Sequence, residues 1–590
     1  MNKKEIAFWA FVALLVFYFF LAFGVFLFQR QEEGQFFIPA WWNISEQIGQ
    51  AGGFCAVVGQ WIIQYYRMPM LAISIHTFLL LVIGISTYKL LQGRGSAYYH
   101  LPIALFPMLI LLKMSIRGSY LVDGTVALAL MMLALLPLLR LRGKKQIAVY
   151  GVLATCVLFG LAGLLSVWFA VLYVLVAAWL CPRNEWRIQA LWCLLPALLF
   201  TLFSRQLGIP VPLSEGFRPE EFLEVQLQPH YYIYYVWALF VALLAGSLLL
   251  AFLLSHLNKP SRWMQIGITL ICFLGAAGFG KYCMPDKWDI QNRMMDELAY
   301  LAHERQWNTI INRYKGREIQ DYISLNYLNL ALAQEGKLAD ALFTFDQRGA
   351  KSLVLPWNQS SLMTKMLCDI HFAIGDLGMA ESYAMDAITQ SKRGGSARMI
   401  QRLVQINLIR GERVVAHKYL KLLEETPFYR DWAKQHYIYL ENPDKMQENP
   451  ELKGKFIPEE RKDQLYSLMT TDSLWAVHPP KSIGWEYRGC YYLLDKKLEK
   501  FRSFARSSGV TDLPRHFQEA WLMLDKTPAD SSYVPVIAPE IEERYRKFRQ
   551  VLAIRSANDV NMQAVYREYG DTYWFYYYFK LFKEQQNSIQ

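Results

Sequence analysis

The sequence predicts an all-α protein in two parts: a polytopic transmembrane helix bundle of about nine spans, then an extracytoplasmic α-solenoid that ends in a helical cap. Residues 6–283 consist largely of long apolar runs, whereas residues 285–590 are polar and rich in helix-forming residues. With 590 residues and 54% hydrophobic content, the chain exceeds a typical soluble domain of roughly 100–200 residues. Glycine also recurs at a nearly constant interval in the C-terminal part, which is typical of helical repeats.

The apolar runs of residues 1–284 predict the bundle, because a transmembrane helix needs about 20 apolar residues. The first run follows a charged start like that of a signal peptide, but it is longer than an h-region of about 7–15 residues, so we expect an uncleaved span. Residues 147–181 lack a strong polar break yet have basic residues at both ends, which predicts two short helices that turn near residues 160–166. The predicted spans are 6–28, 69–91, 99–115, 120–139, 147–164, 166–181, 187–204, 231–255 and 263–283.

The distribution of basic residues predicts the orientation of the bundle. With the N-terminus in the cytoplasm, the cytoplasmic segments carry twelve Lys and Arg residues and only two acidic ones, Glu5 and Glu185. This excess follows the positive-inside rule and accounts for part of the net charge of +11, so we expect no nucleic acid partner. An odd number of spans then places residues 285–590 outside the cytoplasm. We therefore predict a multi-pass protein of the cell inner membrane with a cytoplasmic N-terminus and a periplasmic C-terminal part.

A glycine pattern predicts repeated helix pairs over residues 285–440. Three glycines are each followed by an alanine five residues later: Gly336 and Ala341, Gly375 and Ala380, Gly411 and Ala416. A small residue in a turn and another where two helices cross closely describe a helix–turn–helix unit that buries one face on its neighbour. An earlier, degenerate unit is expected over residues 291–314, with Gln306 in the turn and Ile311 at the crossing.

This pattern resembles the tetratricopeptide repeat, and most of the likeness lies in residues 329–341 and 374–380. The glycine spacings of 39 and 36 residues exceed the 34 residues usual for that repeat. The resemblance covers roughly residues 290–425 and implies a helical array with a face for a partner. Beyond it we expect an irregular helical cap over residues 441–590. Its predicted helices lie near 458–474, 487–507, 512–525 and 538–554.

Two features of the C-terminal part have more than one interpretation. Residues 566–582 are rich in aromatic side chains, which suit packing within the cap, contact with a protein or glycan, or docking on the bilayer. Cys368 and Cys490 would be compatible with a disulfide in an oxidising compartment, but their places in different predicted helical units favour two buried thiols.

The chain contains none of the short motifs of a nucleotide-binding P-loop, a zinc protease, a serine hydrolase or a dithiol redox pair. The histidines of the C-terminal part have no ligand spacing, so we predict no metal site and no resident cofactor.

The remaining candidates for chemistry lie at the predicted outer face of the bundle. The first outer loop, residues 29–68, is unusually long, and its residues 54–66 suit a helix lying along the membrane interface. A second outer loop, residues 205–230, is rich in Pro and Glu. Ionisable groups at a membrane boundary are functional candidates by default. The candidate site residues are Glu32, Glu33, Lys113, Arg117, Asp123, Arg205 and His230.

An acidic residue just after the first helix, with basic residues above a multi-span bundle, resembles the C-type glycosyltransferases. This resemblance implies a lipid-linked sugar donor at the outer leaflet, with Glu32 or Glu33 as general base on an acceptor hydroxyl. It also implies basic residues that hold the lipid phosphate. The phosphate and substrate contacts would come from Lys113, Arg117, Arg205, Asp123 and His230.

A structural interpretation of the same residues stands beside this one. In it, Arg30, Glu32 and Glu33 end a helix in water, while Lys113 and Arg117 extend their charged groups to the interface.

The whole chain also resembles an uncharacterised bacterial family of multi-pass membrane proteins, through Glu33-x-Gln35-x-Phe37, Gly52-Gly53-Phe54 and Gln64-Tyr65-Tyr66. That family implies location and topology but no reaction. We expect a membrane-anchored scaffold, surrounded by membrane lipid, whose C-terminal part binds a protein or glycan partner. The alternative is the glycosyltransferase. A transporter is disfavoured, because no inverted repeat is visible and few ionisable residues lie near the middle of a span.

Overall fold

The structure is a computed structural model that describes residues 2–93, 95, 97–118, 120–181, 184–203, 235–255, 262–319, 321–357, 360–391, 395–453, 455, 479–524, 533–555 and 562–580. Their regular elements are helices, and a bridge between extended residues joins Asp512 to Val536. The chain forms two compact units. The first contains Met1–Asp296, Ser391–Ala397 and Leu422–Trp432, and the second contains Glu297–Gln390, Arg398–Lys421 and Ala433–Gln590. The sequence predicted a single boundary at residue 284, whereas two later segments of the chain also belong to the first unit.

The helices of the first unit begin with α1 Lys3–Phe23, α2 Val25–Glu33, α3 Trp41–Ile48, α4 Gly53–Gln64, α5 Pro69–Gln92, α6 His100–Ile103, α7 Leu105–Met114 and α8 Val122–Leu135. They continue with α9 Lys144–Ala162, α10 Leu165–Leu180, α11 Asn184–Ala190, α12 Leu194–Leu202, α13 Val236–Ser255 and α14 Arg262–Cys283. Helix α15, Lys287–His303, runs from the first unit into the second.

Six of the described helices are long and apolar enough to cross a membrane, which supports a membrane protein. They are Lys3–Phe23, Pro69–Gln92, Val122–Leu139, Lys144–Ala162, Val236–Ser255 and Arg262–Cys283. Three shorter apolar helices are His100–Met114, Leu165–Leu180 and Arg187–Leu202. Each predicted span overlaps one of these nine, but the number of crossings stays a prediction. The division of 147–181 into two helices is confirmed, since α9 and α10 are separated at Gly163, whose φ is +61°.

The apolar surface of these helices divides into a core and an exposed side. The helix Val122–Leu139 is mostly buried, and large side chains such as Phe169, Tyr173 and Phe240 belong to the same core cluster. Helix α9 instead exposes an apolar stripe at an interval of four residues, formed by Val149, Leu153 and Val157. Such a stripe is typical of a helix that faces lipid on one side and its neighbours on the other.

Contacts between helix ends fall into two groups. In the first, the Trp179 indole at the end of α10 donates to the Leu90 carbonyl at the end of α5, and Gly93 lies against Leu139 and Leu180. The ends of α5, α8 and α10 therefore meet.

In the second group, Gln31 at the end of α2 donates to the Tyr120 carbonyl just before α8. Lys113 near the end of α7 donates to the Tyr282 carbonyl near the end of α14. The Gly52 amide donates to the Gly160 carbonyl in the last turn of α9. Helix α8, for example, begins in the second group of contacts and ends in the first. Helices of this unit thus run in opposite directions between the two groups.

The remaining helices follow in this order: α16 Trp307–Tyr314, α17 Tyr322–Gln334, α18 Leu338–Ala341, α19 Ser361–Ile374, α20 Leu377–Gln390, α21 Ala397–Arg410, α22 Arg413–Glu424, α23 Arg430–His436, α24 Ile438–Glu441, α25 Ile483–Leu494, α26 Leu498–Ser508, α27 Arg515–Trp521, α28 Pro539–Arg555, α29 Met562–Tyr569 and α30 Tyr573–Phe579. The predicted helix 487–507 is therefore two helices, α25 and α26. The predicted helix 458–474 lies outside the described residues.

The three marker glycines occupy the turns between helices α17 and α18, α19 and α20, and α21 and α22. Their φ values are +64° for Gly336, +89° for Gly375 and +76° for Gly411, a region that disfavours residues with a Cβ. Ala380 and Ala416 are fully buried where a close crossing was predicted, and Ala341 is partly buried. The helix pairs are thus present, while their arrangement as a solenoid of tetratricopeptide type stays a prediction.

The earliest and latest helix pairs use a different turn residue. Arg305 has a φ of +55° between α15 and α16, and Lys496 has a φ of +56° between α25 and α26. Ile310, not the predicted Ile311, is the fully buried residue of α16.

The aromatic C-terminal segment and the two cysteines of this part are mostly internal. The side chains of residues 573–576 are buried, and the Trp574 indole donates to the Glu519 carbonyl, so packing within the cap accounts for them. Cys368 and Cys490 are buried thiols, and the Cys368 thiol donates to the Ala380 carbonyl.

Candidate functional site

The two predicted catalytic acids are adjacent residues at the end of helix α2, and both lie inside the protein. Glu32 and Glu33 are exposed to only 7% and 8%. The structural interpretation, in which they end a helix in water, is therefore wrong for both. They are buried because two later segments of the same unit, with described residues 391 and 395–397 in the first and 422–432 in the second, cover this helix end.

The first covering segment follows the backbone of residues 33–35. The Ser396 hydroxyl donates to the Glu33 carbonyl, and the Ser391 hydroxyl lies 2.8 Å from the Gly34 carbonyl. The Ala397 amide donates to the Gln35 carbonyl over 3.2 Å. These bonds satisfy the carbonyl of the last residue of α2 and the two carbonyls that follow it, which have no partner within the helix.

The second covering segment brings a tyrosine to Glu32. The Tyr429 hydroxyl donates to Glu32 Oε1 over 2.8 Å. Burial, and next the charge of Glu32, raises the pKa of Tyr429 well above its usual value, so the phenol keeps its proton. The Arg67 guanidinium lies 5.1 Å from the centre of the Tyr429 ring and donates to the Phe428 carbonyl.

A cavity opens beside this pair. The volume open to a water-sized molecule is about 20 Å³, room for about one water molecule and far below the roughly 300–1,000 Å³ of pockets for drug-sized ligands. It is lined by Glu32, Gln35, Phe36, Phe37, Gln64, Ala397, Thr426, Pro427, Phe428 and Tyr429. The Gln35 Oε1 atom is buried and accepts no hydrogen bond from any residue that the structure describes.

Glutamines connect the cavity to helices α3 and α4. The Gln35 amide donates to the Gln60 carbonyl, the Gln60 amide to Gln47 Oε1, and the Gln64 amide to the Phe37 carbonyl. Tyr429, Gln35 and Gln64 were not among the predicted site residues. The glutamine and aromatic residues at 64–66 had been noted in the sequence only as part of a family likeness.

Helix α4 differs from the interfacial helix that the sequence predicts. Eight of its twelve residues are buried. A Cβ on Gly59 would lie 2.6 Å from an Asp123 carboxylate oxygen, so α4 approaches the start of α8 closely there. Asp123 itself is fully buried at this contact.

Arg117 forms a closed cluster with two carboxylates. Its guanidinium lies 2.9 Å from Asp286 Oδ2 and 2.8 Å from Asp289 Oδ1, and 4.9 Å from the centre of the Trp288 ring. Burial acts to raise both acid pKa values. For Asp286, whose side chain is 52% exposed, hydrogen bonds from the Asp289 backbone and Arg117 outweigh burial, so its pKa is lowered. For Asp289, with 4% exposure, burial prevails and its pKa is raised.

The other predicted basic residues are also engaged or lie elsewhere. Lys113 donates to the Tyr282 carbonyl and lies 4.5 Å from the centre of the Tyr282 ring. Arg30, on the turn before Glu33, donates to Asp296 over 2.7 Å. Arg205 and His230, with the whole second outer loop, lie outside the described residues. The phosphate-binding role of these residues stays a prediction.

The arrangement can accept a proton or a hydrogen bond at Glu32 and a hydrogen bond at Gln35. Among the described residues, no group of three or more His, Cys, Asp or Glu side chains is placed to hold a metal ion. The features described so far are those of a helical membrane protein in which an acidic pair after the first apolar helix is enclosed by later parts of the chain.

The chain belongs to a family of unknown function, DUF6057, which matches residues 2–580. No curated protein and no solved structure matches it. Membership of an uncharacterised family agrees with the prediction from sequence, while the likenesses to tetratricopeptide repeats and C-type glycosyltransferases stay predictions.

Proposed function

We propose that the protein is a membrane-anchored scaffold whose extracytoplasmic helical domain, of tetratricopeptide type, binds a protein or glycan partner. The observation that carries the proposal is the series of helix pairs closed by Gly336, Gly375 and Gly411, each in the left-handed region. Stacked pairs of this kind present extended surfaces, which repeat proteins commonly use for binding.

The proposal includes a multi-pass arrangement in the inner membrane, with a cytoplasmic N-terminus and a periplasmic C-terminal part. The excess of basic residues in alternate connecting segments supports this orientation. The two groups of helix ends support spans that alternate in direction, because the start of α8 meets the end of α2, while the end of α8 meets the end of α5. A reporter enzyme fused to Gln590 is expected to be active outside the cytoplasm, and activity only in the cytosol would contradict the orientation.

Helix α22 offers the position at which partner binding is best tested. Val414 is 85% exposed, more than any other large apolar side chain that the structure describes. Lys418 lies one turn further on the same exposed side, whereas Ala416 and Leu420 are buried.

Photo-cross-linking in native membranes tests the scaffold directly. A benzoylphenylalanine residue replaces Val414 or Lys418 in the full-length protein, and Lys547 on α28 serves as an exposed control. We expect one and the same protein or glycan adduct from positions 414 and 418 and none from position 547. Absence of a common adduct at the first two positions would contradict a partner on this face.

A second candidate function is a transferase that uses a lipid-linked sugar, and the observation that favours it is the place of Glu32 in the cavity. In such a reaction, Glu32 takes the proton of an acceptor hydroxyl while that oxygen bonds to the anomeric carbon of the sugar. The bond from this carbon to the lipid phosphate oxygen breaks, and its electron pair leaves with the phosphate. Arg117 is occupied by Asp286 and Asp289, so Lys113 or Arg205 would have to provide the phosphate contact.

Conservative variants separate this chemistry from a structural role of Glu32. Glu32→Gln retains the shape but cannot take a proton, whereas Tyr429→Phe removes the hydrogen bond and leaves the carboxylate. A general base predicts that Glu32→Gln abolishes complementation of a null mutant at normal protein level, while Tyr429→Phe complements. If Glu32→Gln and Glu33→Gln together complement fully, the transferase proposal fails.

A further inference from the structure

The first outer loop contains two helices with opposite exposure. Helix α4 is mostly buried, whereas helix α3 has no buried residue. On α3, Trp41 is 77% exposed, Trp42 is 60% exposed and Ile48 is 42% exposed. Adjacent exposed tryptophans mark a contact surface, because large apolar patches on a protein surface are seldom left in water.

Two amide side chains of α3, those of Asn43 and Gln47, point the other way. The Asn43 amide donates to the Ile38 carbonyl, the Gln47 amide donates to Asn43 Oδ1, and Gln47 Oε1 accepts from Gln60. Asn43 and Gln47 are half-buried on this side of the helix. A helix on a water-facing surface has the reverse pattern, with apolar residues toward the protein and polar residues outward.

The depth of this helix follows from its connection to α9. Four residues after α3 ends, the Gly52 amide donates to the Gly160 carbonyl, which lies in the last turn of the apolar helix Lys144–Ala162. The exposed apolar stripe of Val149, Leu153 and Val157 extends along this helix toward that hydrogen bond. The exposed surface of α3 therefore adjoins the level at which an apolar helix leaves the hydrocarbon.

The composition of the exposed side fits the boundary of the bilayer better than its centre. Ser45 and Glu46 are exposed beside the tryptophans. Tryptophan is enriched where headgroups meet acyl chains, since its ring is apolar and its N–H is polar, while a carboxylate stays among headgroups and water.

We propose that helix α3 lies in the lipid headgroup region, with Trp41, Trp42 and Ile48 in contact with the acyl boundary and Asn43 and Gln47 bonded to the protein. The occupant of this surface is membrane lipid, on the side of the membrane where residue 33 emerges. The proposal does not depend on either proposed function. In this arrangement the long first outer loop lines the cavity beside Glu32 and also anchors that cavity at a fixed depth in the membrane.

Photo-cross-linking of the full chain in nanodiscs of phosphatidylethanolamine and phosphatidylglycerol tests this placement. A benzoylphenylalanine residue replaces Trp41 or Trp42. Phe78 on α5, which is 65% exposed, is the control for lipid contact, and Tyr566 on α29, which is 56% exposed, is the control for an exposed aromatic residue of the polar part. Intact mass spectrometry detects lipid adducts. We expect the lipid yield at positions 41 and 42 to match that at 78 and to exceed that at 566 about tenfold. A yield as low as that at 566 would overturn the proposal.

Fluorescence gives a second measurement that does not need the photoreactive residue. The double variant Trp41→Phe/Trp42→Phe removes two of the 18 tryptophans. The fluorescence lost in this variant relative to wild type is the contribution of Trp41 and Trp42. We expect lipids that carry bromine near the headgroup end of the acyl chain to quench this contribution. If the lost part is instead quenched by iodide in water, or if native membranes give a protein adduct at position 41, α3 contacts water or a protein partner and the proposal is wrong.

Discussion

Two groups of ionisable residues in the first unit look alike in the sequence and differ in the structure. Glu32 and Glu33 are buried side by side, and Glu32 borders a cavity in which its carboxylate accepts a hydrogen bond from the neutral Tyr429 hydroxyl. Arg117 lies between Asp286 and Asp289, and its side chain is only 2% exposed. On sequence grounds, both groups were functional candidates because they are ionisable residues near the ends of predicted membrane helices. The difference teaches that similar positions in the sequence can acquire different surroundings, since Glu32 borders a cavity whereas Arg117 joins the start of α15 to the residues after α7.

The strongest test of this contrast is Arg117→Met. Removing the guanidinium leaves Asp289 buried without its cation, and breaking a buried ion pair in this way costs about 3–5 kcal/mol of unfolding free energy. Thermal unfolding in detergent should show the loss. Asp289→Asn in the Arg117→Met background should recover part of it, and Asp286→Asn alone should cost much less because Asp286 is half-exposed. Unchanged stability of Arg117→Met would remove the structural role.

The second test concerns Tyr429 and includes the effect of pH. Tyr429→Phe removes a hydrogen bond to a carboxylate, which costs about 1.5–3 kcal/mol at neutral pH. Because the pKa of Tyr429 is raised in the folded protein, its contribution is present below the unfolded pKa of about 10 and declines as the pH rises above it. The stability gap between wild type and variant should therefore narrow in alkali. Tyr566→Phe, at an exposed position, is the control, and a gap that widens above pH 10 would contradict the assignment.

A third test changes the packing behind the cavity without touching a charge. Gly59→Ala places a methyl group within contact distance of the Asp123 carboxylate, and overpacking of this kind costs about 1–3 kcal/mol. Gly246→Ala is the matched control, because no atom lies within 4 Å of its new Cβ. The difference in melting temperature between the two variants measures the effect. Equal melting temperatures would show that α4 and α8 are not in close contact.

The smallest expected effect lies in the segment that covers Glu33. Ser396→Ala removes one hydroxyl donor from the Glu33 carbonyl and costs about 0.5–1.5 kcal/mol. Ser503→Ala serves as control, since its hydroxyl bonds only within its own helix at an exposed place. Exchange of the amides at residues 33–36 with deuterium should accelerate in the first variant and stay unchanged in the second. No acceleration would indicate that the covering segment does not depend on this bond.

The apolar helices and the glycine turns could be predicted from the sequence, because both depend on local properties. Twenty apolar residues have few alternatives to a membrane helix, and a glycine at positive φ leaves a signal at its own position. The turns at Arg305 and Lys496 were missed for the same reason. At these positions a residue with a Cβ adopts the left-handed region, and nothing in its identity reveals it.

The enclosure of Glu32 could not be predicted, because it depends on residues almost 400 positions away in the chain. The signals in these segments are weak, a pair of serines around residues 391–396 and the aromatic pair Phe428 and Tyr429 within a turn. Either pattern is common in exposed loops. Only the fold shows that these residues meet the end of α2. There the Tyr429 hydroxyl contacts Glu32, which the structural interpretation of the sequence had placed in water.

The covering segment also imposes an order on the biosynthesis of the protein. The hydroxyl that reaches the Glu33 carbonyl is separated from it by 363 residues. At roughly 5–20 residues per second, the ribosome needs tens of seconds to add that length. During this interval the nascent chain carries two carboxylates at the end of α2, just after its first apolar helix, without the cover that they acquire later. Premature termination before residue 391 would leave that state permanent, and quality-control proteases would meet an uncovered acidic helix end.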